Sequence, residues 1–267
     1  MEQLKEFRNK LAYSDNGTGN VFVLLHGYLE SKEMWSDLAA ELSKNYRVIC
    51  PDLPGHGKSP FEGNEVSMEI AAKAVENLLN SLSIEKCVLI GHSMGGYIAL
   101  AFAELFPERL CGFGLFHSHP NADSDEKKAS RMLEIGMIAN GKKAEIVETN
   151  IPRLFANFNL SRLSKQVEKW KSVAFVTPDS GIIASLRGMA SRKDRNFVLS
   201  QLNVPSILIF GKSDNLIPKE IGIELKNKHS HLQVVWLENS GHLGMIEEPN
   251  QARLAITSFL LAVFSRA

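Results

Sequence analysis

The segment 91–95, with the sequence Gly-His-Ser-Met-Gly, constrains the fold of this chain more than any other. It follows the apolar run 87–90, which is typical of a buried strand, and precedes 96–103, which is typical of a buried helix. A Gly-x-Ser-x-Gly at such a junction predicts a tight turn that strains its serine, because the two glycines let strand and helix approach closely. We therefore predict that Ser93 presents its hydroxyl above one edge of a sheet.

Two later loops supply the side chains that such a serine needs. Asp214 lies in the loop after the strand-like run 205–210, and His242 lies in the loop after the strand-like run 233–237. Loops at the carboxyl ends of parallel strands open on one edge of a sheet, so both side chains are predicted to converge on Ser93. The chain order serine, aspartate, histidine is that of a nucleophile, its acid and its base.

Further motifs identify the family that this chain resembles. The segment 24–28 resembles a His-Gly-x oxyanion loop, and 55–59 resembles a Gly-x-Gly-x-Ser loop that follows the next strand. Gly-x-x-Asp-x-x-x-Pro at 211–218 and Gly-His-x-x-x-x-Glu-x-Pro at 241–249 complete the set. From about Lys10 to its end, the chain resembles the lid-containing, carboxylesterase-like serine hydrolases of the α/β-hydrolase fold.

The order of the predicted elements agrees with that fold. Strand-like and helix-like segments alternate, which predicts a mostly parallel, doubly wound α/β sheet. The family resemblance implies about eight strands. Strand-like runs at 10–14 and 21–25 flank an Asn-Gly turn, so we expect the sheet to start with an antiparallel hairpin.

One long stretch interrupts the alternation. Residues 118–196 are charged and helix-prone, with scattered glycines and prolines. We predict that they form a helical lid, inserted into an α/β-hydrolase core domain made of 1–117 and 197–267.

The resemblance implies a mechanism as well as a fold. Ser93 attacks the substrate carbonyl, His242 takes the serine proton, and Asp214 fixes the imidazole. The backbone N–H groups of Tyr28 and Met94 form the oxyanion hole, and no metal or organic cofactor is needed. We expect hydrolysis of small-to-medium carboxylic esters through an acyl-enzyme intermediate.

Two other classes of function stay open. The same chemistry serves related enzymes that act on non-ester bonds, such as carbon–carbon hydrolases and cofactor-free haloperoxidases. A ligand receptor that retains the triad is the other class. Turnover of p-nitrophenyl esters separates an esterase from a receptor, and halide oxidation tests the haloperoxidase.

The lid sequence also predicts an apolar acyl pocket, because its helix-like runs carry many aliphatic and aromatic side chains. Such aromatic side chains are also compatible with ordinary core packing, and histidines beside strand ends are also compatible with purely structural hydrogen bonds. The residues predicted to line the pocket are His26, His92, His117, Ser118, Phe155, Phe158 and Leu243.

Composition argues against several kinds of partner. Thirty basic and thirty acidic side chains give a formal net charge of zero, which provides no electrostatic footprint for nucleic acid or an anionic membrane. Residues 1–7 lack the apolar stretch of a signal peptide, so we expect a cytoplasmic protein. The His-x-His pairs at 117–119 and 229–231 lack the additional ligands of a metal site. We expect a monomer or homodimer whose partner is a small-molecule ester.

Overall fold

A computed structural model describes residues 10–265, and the prediction drawn from residues 1–7 lies outside this range. The described residues form seven strands and eleven α-helices, none of which is both long and apolar enough to span a membrane. The strands are β1 (Tyr13–Asn16), β2 (Val21–Leu25), β3 (Arg47–Pro51), β4 (Cys87–His92), β5 (Leu110–Phe116), β6 (Ser206–Gly211) and β7 (Gln233–Leu237). The helices are α1 (Ser36–Leu42), α2 (Met68–Ser81), α3 (Met94–Leu105), α4 (Asp125–Ala139), α5 (Lys143–Arg153), α6 (Ser164–Val176), α7 (Asp179–Ala190), α8 (Asn196–Gln201), α9 (Lys219–Lys228), α10 (Gly244–Glu247) and α11 (Pro249–Phe264).

The strands form one sheet in the order β1-β3-β2-β4-β5-β6-β7, and every neighbouring pair except β1 and β3 is parallel. Strand β4 is buried along its whole length, as expected of a strand that is covered on both faces. Helix α1 packs against α11, and α2 packs against α3. This is the mostly parallel α/β sheet that the sequence predicts. It brings the loops after β2, β4, β5, β6 and β7 to one edge.

The start of the sheet differs from the prediction. The described residues form seven strands rather than about eight, and β1 pairs antiparallel with β3 instead of forming a hairpin with β2. Burial decides this order. Strand β2 is apolar and almost wholly buried, so it takes a neighbour on each side, whereas the polar and largely exposed β1 suits the edge. The Asn-Gly signal reports a local turn and carries no information about which strand lies beside which.

The stretch between β5 and β6 contains the five helices α4 to α8. Helix α4 packs against α5 and α7, and α5 packs against α6. Buried Arg195 fastens the end of this stretch to the core, because its guanidinium donates to Glu69 on α2 (2.6 Å) and to Glu104 on α3 (2.8 Å). The predicted lid, 118–196, thus corresponds to four helices that pack on one another.

Candidate active site

Ser93 lies between β4 and α3 in a backbone conformation that residues other than glycine rarely adopt, with φ 49° and ψ −116°. A Cβ at Gly91 would collide with the carbonyl oxygen of Gly95, and one at Gly95 would collide with backbone carbonyls at the end of β2. The Ser93 N–H donates to the Phe116 carbonyl (3.0 Å), and the Ser118 hydroxyl donates to the Ser93 carbonyl (2.8 Å). The strand-to-helix turn is therefore strained, as the sequence predicts, and is held from both sides.

Asp214, after β6, and His242, after β7, meet at the same sheet edge. His242 Nδ1 lies 2.8 Å from Asp214 Oδ2, and both side chains are 1% exposed. The other carboxylate oxygen accepts the N–H groups of Leu216 (2.8 Å) and Ile217 (3.0 Å). Burial raises the pKa of Asp214, but the neighbouring imidazoles outweigh it and hold that pKa well below its usual range. Burial lowers the pKa of His242, and the Asp214 carboxylate outweighs it and raises that pKa.

The second nitrogen of His242 is unpaired among the described residues, and its residue borders a cavity. His242 and Ser93 both line an open cavity of about 330 Å³. The His242 Nε2 atom is buried and has no hydrogen-bond partner among residues 10–265. A buried nitrogen without a partner is costly unless something else binds it, which makes this atom the natural acceptor for a group in the cavity.

The loop after β2 is tied to the His242 loop through a buried network. The Glu30 carboxylate accepts the Gly27 N–H, and the same oxygen lies 3.1 Å from His92 Nδ1. The other ring nitrogen of His92 lies 2.8 Å from the carbonyl oxygen of His242. Burial raises the pKa of Glu30, but the His92 imidazole beside it outweighs burial and lowers that pKa. His92 therefore joins the two loops from behind the cavity.

The two backbone N–H groups predicted to form an oxyanion hole have no backbone acceptor among residues 10–265. Met94 is the first residue of α3, where helix N–H groups have no partner within the helix and the helix dipole favours negative charge. Tyr28 lies in the loop after β2, next to Leu29, whose φ is 60°. Within the described part of the chain, neither the Tyr28 nor the Met94 N–H is in hydrogen-bond geometry with a backbone acceptor.

His117, at the end of β5, lies behind Asp214. Its Nδ1 is 3.2 Å from Asp214 Oδ2, while the N–H of Gly244 approaches its Nε2 (3.2 Å) and the N–H of Gly211 approaches its Nδ1 (3.1 Å). A neutral imidazole has one donor and one acceptor. A proton on Nδ1 satisfies Asp214 and Gly244 together, whereas a proton on Nε2 satisfies only Gly211, so we assign the Nδ1 tautomer. Burial lowers the pKa of His117 to about 4, against the opposing pull of Asp214.

The spacing of His117, Asp214 and His242 is also compatible with a metal site, because one ligand atom from each lies within 4.8 Å of the others. The hydrogen bonds point to a different use. Each Nδ1 faces a carboxylate oxygen that accepts a hydrogen bond from its N–H, whereas a metal requires a ring nitrogen with a free lone pair.

The residues predicted to line the pocket lie elsewhere. None of the seven, all of which fall within the described range, is in the cavity wall. His92, His117 and Ser118 support the backbone and the acid, as described above. His26 is also structural, because its Nε2 accepts the Leu53 N–H (2.9 Å) and its Nδ1 is 2.8 Å from the Gly27 carbonyl.

The three apolar candidates lie in the core or on the surface rather than in the cavity wall. Phe155 is fully buried in the core, and Phe158 is 61% exposed on the surface. Leu243 is buried at the start of α10. Two aliphatic side chains of the stretch 118–196, Ile151 and Leu154, do line the cavity, so an apolar acyl pocket stays a prediction.

The cavity wall also carries many polar and charged side chains, several of them from the stretch between β5 and β6. The charged members are Asp123, Lys127, Arg131, Glu134, Arg153 and Arg192. Tyr28, Tyr97 and His119 contribute polar rings. The sequence contains a signal for these residues in the clustered charges of 123–134 and 187–195, but charge runs are more often solvated surface than site.

Glu247, in the Gly-His-x-x-x-x-Glu motif, is a buried anchor that the sequence motif alone does not explain. Its carboxylate accepts the N–H groups of Gly241 (2.7 Å) and Ala156 (2.8 Å) and the side-chain amide of Asn159 (2.7 Å). Burial raises its pKa even though these donors lower it. Glu247 thus fastens the loop that carries His242 to the helical stretch beside it.

Comparisons with known proteins agree with this geometry. The family model for the alpha/beta hydrolase fold matches residues 20–128. An esterase from Thermogutta terrifontis, solved with malate bound, is 33% identical and superposes with a TM-score of 0.92, covering 96% of this chain and 94% of its own. Monoacylglycerol lipase ABHD6 from Bos taurus is 24% identical over 255 residues, which are 91% of this chain and 76% of that protein. A pimeloyl-(acyl-carrier protein) methyl ester esterase from Aeromonas salmonicida is 28% identical over 241 residues, 88% of this chain and 93% of that protein.

Proposed function

This chain belongs to the α/β-hydrolase family, and from that premise we propose that it is a serine hydrolase that cleaves small-to-medium carboxylic esters. The observation that carries the proposal is the environment of His242. Its Nδ1 is paired with Asp214, and its Nε2 has no partner among the described residues. His242 and Ser93 line the same cavity. An imidazole held by a carboxylate on one side and free on the other is the arrangement of a general base beside a nucleophile.

The reaction divides into two halves. Ser93 Oγ bonds to the ester carbonyl carbon as its proton passes to His242 Nε2, and the carbonyl oxygen becomes an oxyanion. The N–H groups of Tyr28 and Met94 stabilise this oxyanion. His242 then gives its proton to the alcohol oxygen as the carbon–oxygen bond breaks, which leaves an acyl group on Ser93. Water, deprotonated by His242, attacks that acyl group, and the acid leaves as the serine regains its proton.

Asp214 acts in both halves. Its carboxylate keeps the proton of neutral His242 on Nδ1, so that Nε2 is free to accept one, and it stabilises the imidazolium that follows. We further propose that 118–196 is the lid of this site. The proposal is supported by residues of α4 and α5, which line the same cavity as Ser93.

A fluorophosphonate probe tests the proposal directly. The wild-type protein should form one covalent adduct, mapped by peptide mass spectrometry to Ser93, and should hydrolyse p-nitrophenyl butyrate. Ser93→Ala should lose both the adduct and the turnover while keeping its melting temperature. Ser130→Ala is the matched control, because Ser130 is an exposed serine in the same cavity wall and should label and turn over as wild type.

An adduct on any other residue, or undiminished turnover by Ser93→Ala, would refute the assignment. A wild-type protein that folds but neither labels nor hydrolyses esters would refute the proposed function as a whole.

A further inference from the structure

The charges in the cavity wall are not balanced. The wall carries four cationic side chains and two carboxyl groups, although the formal net charge of the whole chain is zero. The cations are Lys127, Arg131, Arg153 and Arg192, and the carboxyl groups are those of Asp123 and Glu134. A concave site lined by one sign of charge attracts ligands of the opposite sign.

Two of the cations are buried and share one counter-ion. Arg131 and Arg192 both donate to the Asp123 carboxylate, one to each oxygen at closest approach. The side chains of Arg131, Arg192 and Asp123 are 9%, 3% and 2% exposed. Two guanidinium groups against one carboxylate leave this buried cluster with a net charge of +1. Buried charge without a partner is costly, so a second anion would stabilise the cluster.

Within the described part of the chain, Glu134 makes no hydrogen bond or ion pair with either guanidinium. Its Oε1 accepts the hydroxyl of Tyr28 (2.7 Å) and the side-chain amide of Asn150 (3.1 Å). Burial raises the pKa of Glu134, although the Tyr28 hydroxyl and the nearby cations, Arg131 among them, oppose it. His119, which also lines the cavity, is neutral at physiological pH because burial and then Arg192 lower its pKa to about 4.

Each guanidinium keeps a donor for a ligand. Arg131 bonds Asp123 through Nε and Nη2, and Arg192 uses Nε and Nη1 for Asp123 and two backbone carbonyls. Within the described part of the chain, Nη1 of Arg131 and Nη2 of Arg192 have no hydrogen-bond partner. Neither atom is sealed from solvent, so both can reach a ligand.

The cluster lies close to the reacting serine. The guanidinium of Arg192 is stacked 3.9 Å above the ring of Tyr97. The Tyr97 N–H donates to the carbonyl of Ser93 (3.3 Å), and Ser93, Tyr97 and Arg192 all line the same cavity. A ligand in this cavity can therefore contact Arg192 while its ester group is held at Ser93.

We propose that Arg131 and Arg192 form a carboxylate-binding subsite, so that the substrate is an ester that also carries a carboxylate. The inference rests on the proposed esterase function and names its substrate class. A single carboxylate matches both the +1 charge of the cluster and the two free donors, whereas a phosphate dianion would exceed them.

Methyl half-esters of dicarboxylic acids test the proposal against neutral esters of equal acyl length. Monomethyl succinate, glutarate and adipate are compared with methyl butyrate, valerate and hexanoate in a pH-stat at constant ionic strength. Wild type should show a kcat/KM at least tenfold higher for the best half-ester than for its neutral counterpart. Arg192→Gln and Arg131→Gln should each lower that preference about tenfold, chiefly through KM. Arg187→Gln, which removes the same charge from α7 outside the cavity wall, should keep the preference.

A second measurement uses only the wild type, in case an arginine variant fails to fold. Succinate or glutarate should inhibit hydrolysis of methyl butyrate competitively and at least tenfold more strongly than the neutral diamide or inorganic phosphate. Equal kcat/KM for both ester series, or stronger inhibition by phosphate, would overturn the carboxylate subsite while leaving the esterase proposal intact. Absence of hydrolysis of every ester would instead overturn the proposed function.

Discussion

Replacing Asp214 by asparagine separates the proposed catalytic acid from a merely structural carboxylate, because its two oxygens have different partners. Oδ1 accepts two backbone N–H groups, while Oδ2 faces Nδ1 of both His242 and His117. An amide keeps only one oxygen, and the two backbone donors should hold it at the Oδ1 position. The amide NH₂ then faces both imidazoles, and each ring must move its proton to Nε2.

The consequence for catalysis follows from that tautomer. A protonated His242 Nε2 has no lone pair for the Ser93 proton, so the base is lost although the side chains stay in place. An imidazole in the wrong tautomer lowers kcat by about 10⁴-fold, which corresponds to about 5 kcal/mol in activation free energy. The fold should persist, because the backbone contacts of Oδ1 are kept.

The assay is kcat for p-nitrophenyl butyrate at pH 8, with circular dichroism melting to check the fold. Asp194→Asn is the matched control. Among residues 10–265 its exposed carboxylate bonds only Asn196, at 2.8 Å in the closest contact, so kcat should stay within about twofold of wild type. A folded Asp214→Asn protein with near-wild-type kcat would show that another group orients the base.

Three further outcomes are expected. The kcat/KM of a neutral ester should fall with decreasing pH through an apparent pKa above 6.5, because the base must be neutral and Asp214 outweighs burial in raising the pKa of His242; an inflection below 6.5 contradicts this. Gly95→Ala should lower the free energy of unfolding in urea by about 3 kcal/mol or more through backbone collision, whereas Gly136→Ala, in open space on α4, should raise it by about 0.5 to 1 kcal/mol. His117→Leu should lower the free energy of unfolding by about 1.5 to 3 kcal/mol. It should also move the acidic limb of the pH profile of kcat/KM to higher pH, because Asp214 loses a hydrogen-bond donor. An unmoved limb would show that the role of His117 is purely structural.

The sequence is sufficient to predict those features of the site that depend on residues close together in the chain. The strain at Ser93 follows from steric contacts within a few residues, and the glycines that permit it are adjacent in the chain. The positions of Asp214 and His242 after their strands also follow from the sequence, because apolar runs reveal parallel strands whose ends share one edge. The mostly parallel sheet and the family are confirmed on the same basis.

The sequence does not predict which strands lie side by side in the sheet. The predicted hairpin of β1 with β2 is wrong. Apolar β2 is buried between β3 and β4, and this placement is decided only when the whole sheet assembles. His117 was predicted to line a pocket. It lies behind Asp214 instead, because β5 and β6 are adjacent and this places the end of one strand against the loop of the next.

The sequence by itself therefore determined the strands and helices of the sheet, the strained turn at Ser93 and the chain order of Ser93, Asp214 and His242. Each of these is set by covalent neighbours or by the periodicity of apolar residues. Only the tertiary structure decided which face of each inserted helix lines the cavity. Ile151, Leu154 and Met189 line it, and so do the charged Arg131 and Arg192, which Asp123 and the ring of Tyr97 stabilise there. Contacts between residues far apart in the chain leave no periodic pattern, so the chemistry of the cavity appears only when the helices are packed.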